Sequence, residues 1–360
     1  MTKKLWFQSG IGILIALLIV KYFMEIHWIF NPIIIIFKTI LIPLILGGVL
    51  YYVSVPLQRQ LEKRGMPRWG SLVTILIVLI GLLVGLGLLV GDPISKQVNL
   101  LVENAPSLAD KIEDAAKYVT DNRENLPPQV EELIDNVASS LQSITVTASK
   151  WIYTFISGAV SATFTLILVP FFFIFMLKDH EKFAPNIYGK FTGERRAWVK
   201  KTLEDIDRVL SSYVQGQVLI SFILAVMMLV GYLIIGLDYA LLLALFAFFM
   251  NMIPFIGPWI SLAPAVVVAV VSPDPLNVLW VCVITLAAQQ IESNFITPNI
   301  MGKSLDIHPL TVISLVLAAG NIAGFIGIII AIPTYAVIKV IVTNIYNQRK
   351  EIKDAANKTI

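Results

Sequence analysis

The length of its apolar runs constrains this chain more than anything else in it. A helix needs about 20 apolar residues to cross roughly 30 Å of hydrocarbon. Residues 33–55, 69–90, 151–177 and 218–235 meet or approach that length, as does the slightly short run 5–20. A soluble core has no room to stack such runs. Composition agrees, because only 14% of the residues are charged and 57% are apolar, against about a quarter charged in a soluble domain. The expected fold is an all-α polytopic membrane protein of about eight hydrophobic segments, two of them broken.

The remaining composition excludes other classes. The lone Cys282 lies in an apolar run, which rules out intrachain disulfides and multi-cysteine metal sites. The net charge of +3 comes from bases at the ends of apolar runs, with no interleaved basic and aromatic surface for nucleic acid. The opening of the chain imitates a signal peptide, but no A-x-A-like site follows. It is expected to be a retained span.

Basic residues set the expected orientation. Lys3 and Lys4, then Arg59, Lys63, Arg64 and Arg68, then eight bases within 178–212, then Lys339, Arg349, Lys350, Lys353 and Lys358 are assigned to the cytoplasm. Residues 92–150, with ten acids and five bases, fall outside. The chain thus divides into the first three spans (1–91), an external helical hairpin (92–150) and a fourth span (151–177). A cytoplasmic amphipathic segment (178–217), a transport core (218–346) and a cytoplasmic tail (347–360) complete it.

Two of these segments show a seam. Leu101, Ala105, Leu108, Ile112, Ala115 and Val119, then Val130, Ile134, Val137, Leu141 and Ile144, follow alternating steps of four and three. That is the spacing of paired helices, interrupted at Pro127 and Pro128. Val199, Leu203, Ile206, Leu210 and Tyr213 repeat it beside Arg195, Arg196, Lys200 and Lys201, which predicts an amphipathic helix on the membrane surface.

The last third of the chain carries the functional signal. Residues 240–271 are broken at Asn251, Pro254, Gly257 and Pro258, and residues 310–346 at Gly320, Asn321, Gly324 and Gly327. Proline and glycine at these densities stop helices. Each segment is either a re-entrant hairpin or one kinked span, and Lys303 in the loop between them favours hairpins by the positive-inside bias. Paired interruptions mark transporter substrate sites, since irregular backbone at membrane depth survives only inside protein or beside water.

Between the broken segments, the run 276–296 turns polar in its second half. Gln289 and Glu292 share one helical face and Gln290 and Asn294 another. An intramembrane carboxylate usually marks an ion, proton or substrate path. Among the positions three and four from Glu292 only Gln289 is polar, so its other partners are expected from other segments. Asp238, Asp306 and His308 sit at loop edges, and Asp306 is retained as a candidate.

The run 251–258, the motif Gln290-Ile-Glu-Ser-Asn-Phe-Ile-Thr-Pro-Asn-Ile-Met-Gly-Lys-Ser-Leu-Asp-Ile-His-Pro309 and the glycines at 320–327 together resemble the autoinducer-2 exporter family of bacterial membrane proteins. The resemblance implies a homo-oligomeric plasma-membrane transporter. Its implied cargo is either a small polar solute such as autoinducer-2 or, in exchange for protons, sodium or lithium. Candidate transport or ion-coupling residues are Glu292, Gln289, Gln290, Asn294, Asn251, Pro254, Gly257, Pro258, Asp306, Asn321, Gly320 and Gly324. No cofactor is expected beyond Na+ or H+ coupling, and the partners are the solute or cation, the lipid bilayer and further copies of the chain. The sequence lacks a complete P-loop, zinc-protease or nucleophile-elbow motif, so no enzyme is expected. A membrane scaffold built on the external hairpin would leave the broken segments without a purpose.

Overall fold

The structure, a computed structural model, describes residues 5–25, 31–121, 163–254, 256–274, 276–302 and 307–358. Among them all regular structure is helical: α1 (Leu5–Glu25), α2 (Asn31–Lys63), α3 (Arg68–Asp121), α4 (Thr163–Tyr188), α5 (Gly193–Ile234), α6 (Ala240–Met250), α7 (Gly257–Val271) and α8 (Leu276–Ile291). A π turn (Glu292–Ile296), α9 (Thr297–Met301) and α10 (Pro309–Lys358) complete the order. Five stretches are long and apolar enough to cross a membrane: Thr39–Lys63, Arg68–Leu100, Gly193–Ile234, Leu276–Met301 and Ile326–Lys350. This is a multi-pass, all-α membrane architecture. The seam at 130–144 and the first half of the run 151–177 lie outside the described residues.

Two expected boundaries are missing. Helix α3 runs on through Gly91, Asp92 and Pro93 for 54 residues, so the third span and the first helix of the following segment form one rod of about 80 Å at about 1.5 Å per residue. Likewise α5 is unbroken over 42 residues. Its amphipathic half continues the span and does not turn to lie along the membrane face. That half is instead covered by α10: Trp198 Nε1 donates to the Asn344 carbonyl at 3.3 Å, and Asn344 Nδ2 donates to Thr202 Oγ1 at 3.3 Å and Asp205 Oδ2 at 3.1 Å.

Helices α2, α3 and α4 share one apolar core of Tyr51, Val55, Leu72, Ile75, Phe173 and Leu177. Close approach of α2 to α4 depends on Gly47, where a Cβ would stand 2.9 Å from Phe172 Cβ and 3.1 Å from the Phe173 amide nitrogen. The later helices pack around α5. A Cβ on Gly231 would meet Ile284 of α8, and one on Gly216 would meet Met301 and Ile300 of α9, so these small residues let α8 and α9 lie along α5.

At both breaks the chain doubles back. Helices α6 and α7, of 11 and 15 residues, extend only about 16 and 22 Å. Leu243 of α6 shares a core with Ala265, Val268 and Ala269 of α7. Gly257 sits against the end of α6, where a Cβ would collide with the Met250 carbonyl. In α10, Ala323 and Gly324 leave helical geometry, Gly324 at φ +61°, a conformation that glycine adopts without strain. A Cβ on Gly327 would then collide with the Ala319 carbonyl. Residues seven and eight apart in a straight helix would be about 10 and 12 Å apart, so in each segment the two arms fold back beside one another as a helical hairpin.

Candidate functional site

The tip of the first hairpin is held by amides. Asn251 is buried at 2% exposure, and with Pro254 and Gly257 following, its turn cannot continue the hydrogen-bond ladder of α6. Partners come from α5. Gln217 Nε2 donates to the Asn251 carbonyl at 2.6 Å, and Asn251 Nδ2 donates to Ser221 Oγ at 3.3 Å. Gln217 and Ser221 stand four residues apart and so share one face of α5. Pro258, at the start of α7, is buried, and its carbonyl accepts from Ser261 Oγ at 2.9 Å. Pro254 is half-buried, and its carbonyl accepts the Ile256 amide at 2.8 Å.

Beside these amides the two hairpins meet through apolar side chains. Ile253 and Ile256 from the first tip pack with Val312, Val316, Ala331 and Ile332 from both arms of the second, around Tyr213 of α5. Gly320 faces Ile328 across the second hairpin. Asn321, at its turn, is exposed on this chain and donates only to the Leu317 carbonyl, at 3.0 Å.

The second polar group is local to one helix. Glu292 accepts from Gln289 Nε2 at 2.5 Å, from Thr297 Oγ1 at 2.5 Å and from Ser293 Oγ at 3.4 Å. The expectation that its further partners come from other segments is therefore corrected. The π turn is the reason: its wider ring lets the Thr297 amide donate to the Glu292 carbonyl and brings residues five apart onto one face. Pro298 is the physical cause, because it has no N–H and its ring would clash with the carbonyl four residues back in a regular α-helix. One acceptor in the group is unused, since Gln289 Oε1 is buried without a partner. On an adjacent face Asn294 Nδ2 donates to both the carbonyl and Oε1 of Gln290, each at 2.9 Å, and both residues are exposed.

Helix α5 supports both groups. The tip amides attach at Gln217 and Ser221, while Glu292 lies between Ile284 and Met301, which pack at Gly231 and Gly216. Among the described residues no hydrogen bond joins the two groups, and Asp306 lies outside those residues. Sequence reasoning missed Gln217 because the span was taken to begin at Val218, and Ser221 because a lone serine within an apolar run names no partner. The signal was present as a glutamine and a serine at a spacing of four at the edge of an apolar run. Among the described residues no cluster of three or more metal-ligating side chains occurs.

The site thus consists of two doubled-back segments, a buried amide set at the tip of the first and a carboxylate group at the π turn beyond α8. The AI-2E family transporter profile matches residues 11–347. The chain belongs to the AI-2E transporter family. It is 32% identical over 350 residues to the putative transport protein YueF of Bacillus subtilis, covering 92% of this chain and 91% of the relative. To the putative transport protein YrrI of the same organism it is 29% identical, with 94% and 96% covered. To the putative permease PerM of Escherichia coli it is 26% identical, with 86% and 88% covered. This AI-2E family member is thus a multi-pass membrane protein of a transporter family, and its relatives are described as transport proteins and permeases rather than enzymes.

Proposed function

We propose that this AI-2E family member exports a small, polar, uncharged or weakly charged solute such as autoinducer-2 across the bacterial plasma membrane, along a path lined by the first hairpin tip, α5 and the polar half of α8. The observation that carries this reading is the buried Gln217–Asn251–Ser221 set at a break in the backbone. These groups satisfy one another, and they gather where the backbone leaves the helix, which at membrane depth survives only inside protein or beside a wet cavity; a solute with hydroxyls can exchange for such bonds. Gln289, Gln290 and Asn294 add hydroxyl-binding groups along α8. Re-entry of the hairpins, one from each side, follows from the positive-inside orientation, with both termini in the cytoplasm and residues 92–150 outside. The exposed Gln290, Asn294 and Asn321 fit a homo-oligomer, in which such groups face protein or water and not lipid.

The deciding experiment is transport by the purified protein in vesicles holding a pH-sensitive dye, with furanose-like solutes and monovalent cations tested in turn. Solute movement without a dye response supports the export reading. Single cysteines at Ser107 and Thr192 in a Cys282→Ser background test orientation. Impermeant reagent on intact cells should label position 107 and spare position 192.

A second reading, sodium or lithium exchange for protons at Glu292, is favoured by one observation. Its carboxylate, the Thr297 and Ser293 hydroxyls and the unused Gln289 Oε1 form an oxygen-rich set, the donor chemistry that hard cations take. A cation-dependent dye response abolished by Glu292→Gln would support it.

A further inference from the structure

The first hairpin begins without a cap of its own. The first N–H groups of a helix have no intrahelical acceptor and are usually met by a side chain at the residue before the helix. Before α6 that residue is Tyr239, which sits in the left-handed region at φ 58° and makes no side-chain cap. The Leu242 N–H instead donates to Gln97 Oε1 at 3.0 Å. Gln97 lies on α3 where that helix continues past its apolar run, and α3 packs against both α6 and α7. A side chain 145 residues away in sequence thus does the work of a helix cap, and it stands on a rod that runs unbroken for 54 residues.

We propose that Gln97 is a positioning residue that latches the first hairpin to the α3 rod, so that where the rod stands sets how the hairpin presents its Asn251 tip to the solute. This rests on the reading of that tip as part of the transport path. Two features make the latch separable from ordinary packing. The bond is a single neutral hydrogen bond at a helix start, which a small displacement of α3 breaks. The apolar contacts between α6 and α7, around Ala240, Leu243, Ala265 and Val268, are made by side chains, so an exchange at position 97 that keeps or removes the acceptor leaves them in place.

The test uses the full chain in lipid nanodiscs and follows amide hydrogen exchange in the segment 240–250. Gln97→Ala should speed exchange in the first turn of α6 about fivefold, the factor that corresponds to a lost helix cap. Gln97→Glu keeps an acceptor, and negative charge suits a helix start, so it should exchange at the original rate. Asn99→Ala, at an exposed position on the same rod, should change nothing. A folded Gln97→Ala protein that exchanges at the original rate, or an equal response to Asn99→Ala, would overturn the latch. If Gln97→Ala does not fold, Leu242→Pro removes the donor at a position in the first turn where proline is accommodated. It should raise exchange in the same turn, and adding Gln97→Glu should restore nothing. Restoration would mean that the carboxylate acts elsewhere and would overturn the proposal. In vesicles Gln97→Ala should lower turnover at an unchanged half-saturating concentration. Exchange that responds as stated in a protein that moves no solute would leave the latch standing and sink the transport reading of the hairpin.

Discussion

Helices α2 to α4 and helices α5 to α10 solve the same solvent problem in different ways. In the first group each helix carries its own backbone ladder over a long stretch, and a single apolar cluster around Tyr51, Ile75 and Leu177 joins the three. In the second group the ladder stops twice, and at the first break the Asn251 carbonyl is met by a side chain of another helix, Gln217. The long rods pack through apolar surface, small residues and one buried amide tie, Gln58 Nε2 donating to the Leu177 carbonyl at 3.3 Å. Broken helices need specific polar partners and specific glycines, and those are the features that can bind a solute.

The largest expected effect therefore falls on the hairpin turns. Gly257→Ala and Gly327→Ala each drive a methyl into a backbone carbonyl, which cannot move aside as a side chain can. Each should cost about 3 kcal/mol or more and leave little protein surviving size-exclusion in detergent. Normal yield and melting temperature for both would break the comparison.

Next comes the amide set. Asn251→Leu removes the Nδ2 donor and leaves the buried Ser221 hydroxyl without its partner, a loss of about 2 kcal/mol, and should lower transport at least about tenfold. Adding Ser221→Ala, which removes the stranded hydroxyl, should recover stability without recovering transport. Recovery of both would make the set structural only. The carboxylate should behave differently, because Glu292→Gln keeps an acceptor for Thr297 and so keeps the fold. Any dependence of transport on pH should vanish in it, as measured in vesicles across a pH series, and a retained dependence would remove Glu292 from coupling.

The smallest effects belong to the rods. Gly47→Ala would set a methyl 2.9 Å from Phe172 Cβ and 3.1 Å from the Phe173 amide nitrogen; it should cost about 1–2 kcal/mol, since α4 as a whole must give by a few tenths of an ångström. Gly85→Ala on α3 meets nothing within 4 Å and should leave the melting temperature unchanged or raise it, because alanine is the better helix former by about 1 kcal/mol. A large loss at Gly85 would reveal a contact made by this face in the membrane.

Much of this was legible residue by residue. Apolar runs located the spanning helices, because hydrocarbon thickness fixes their length. Asn251, Pro254, Gly257 and Pro258 marked one break and Gly320 to Gly327 the other, because proline and glycine act locally on the backbone. The Gln290–Asn294 pair also followed from helical spacing alone. Helix ends were less legible. Nothing in Gly91-Asp92-Pro93 distinguishes a terminus from a continuing rod, and nothing in 199–213 says that α10 packs beside it through Trp198, Thr202, Asp205 and Tyr213.

By itself, then, the sequence determined that this chain spans a membrane as helices and where two of its segments break. Each of these depends on a short stretch of chain and its solvent. Only the tertiary structure decided that both breaks are hairpins, that Gln217 and Ser221 hold the tip of the first, that Thr297 reaches Glu292 through a π turn, and that Gln97 caps a helix 145 residues away. Those outcomes depend on which helices lie side by side. Adjacency in a bundle is set by packing of small residues such as Gly216 and Gly231 against distant partners, a property no local pattern carries.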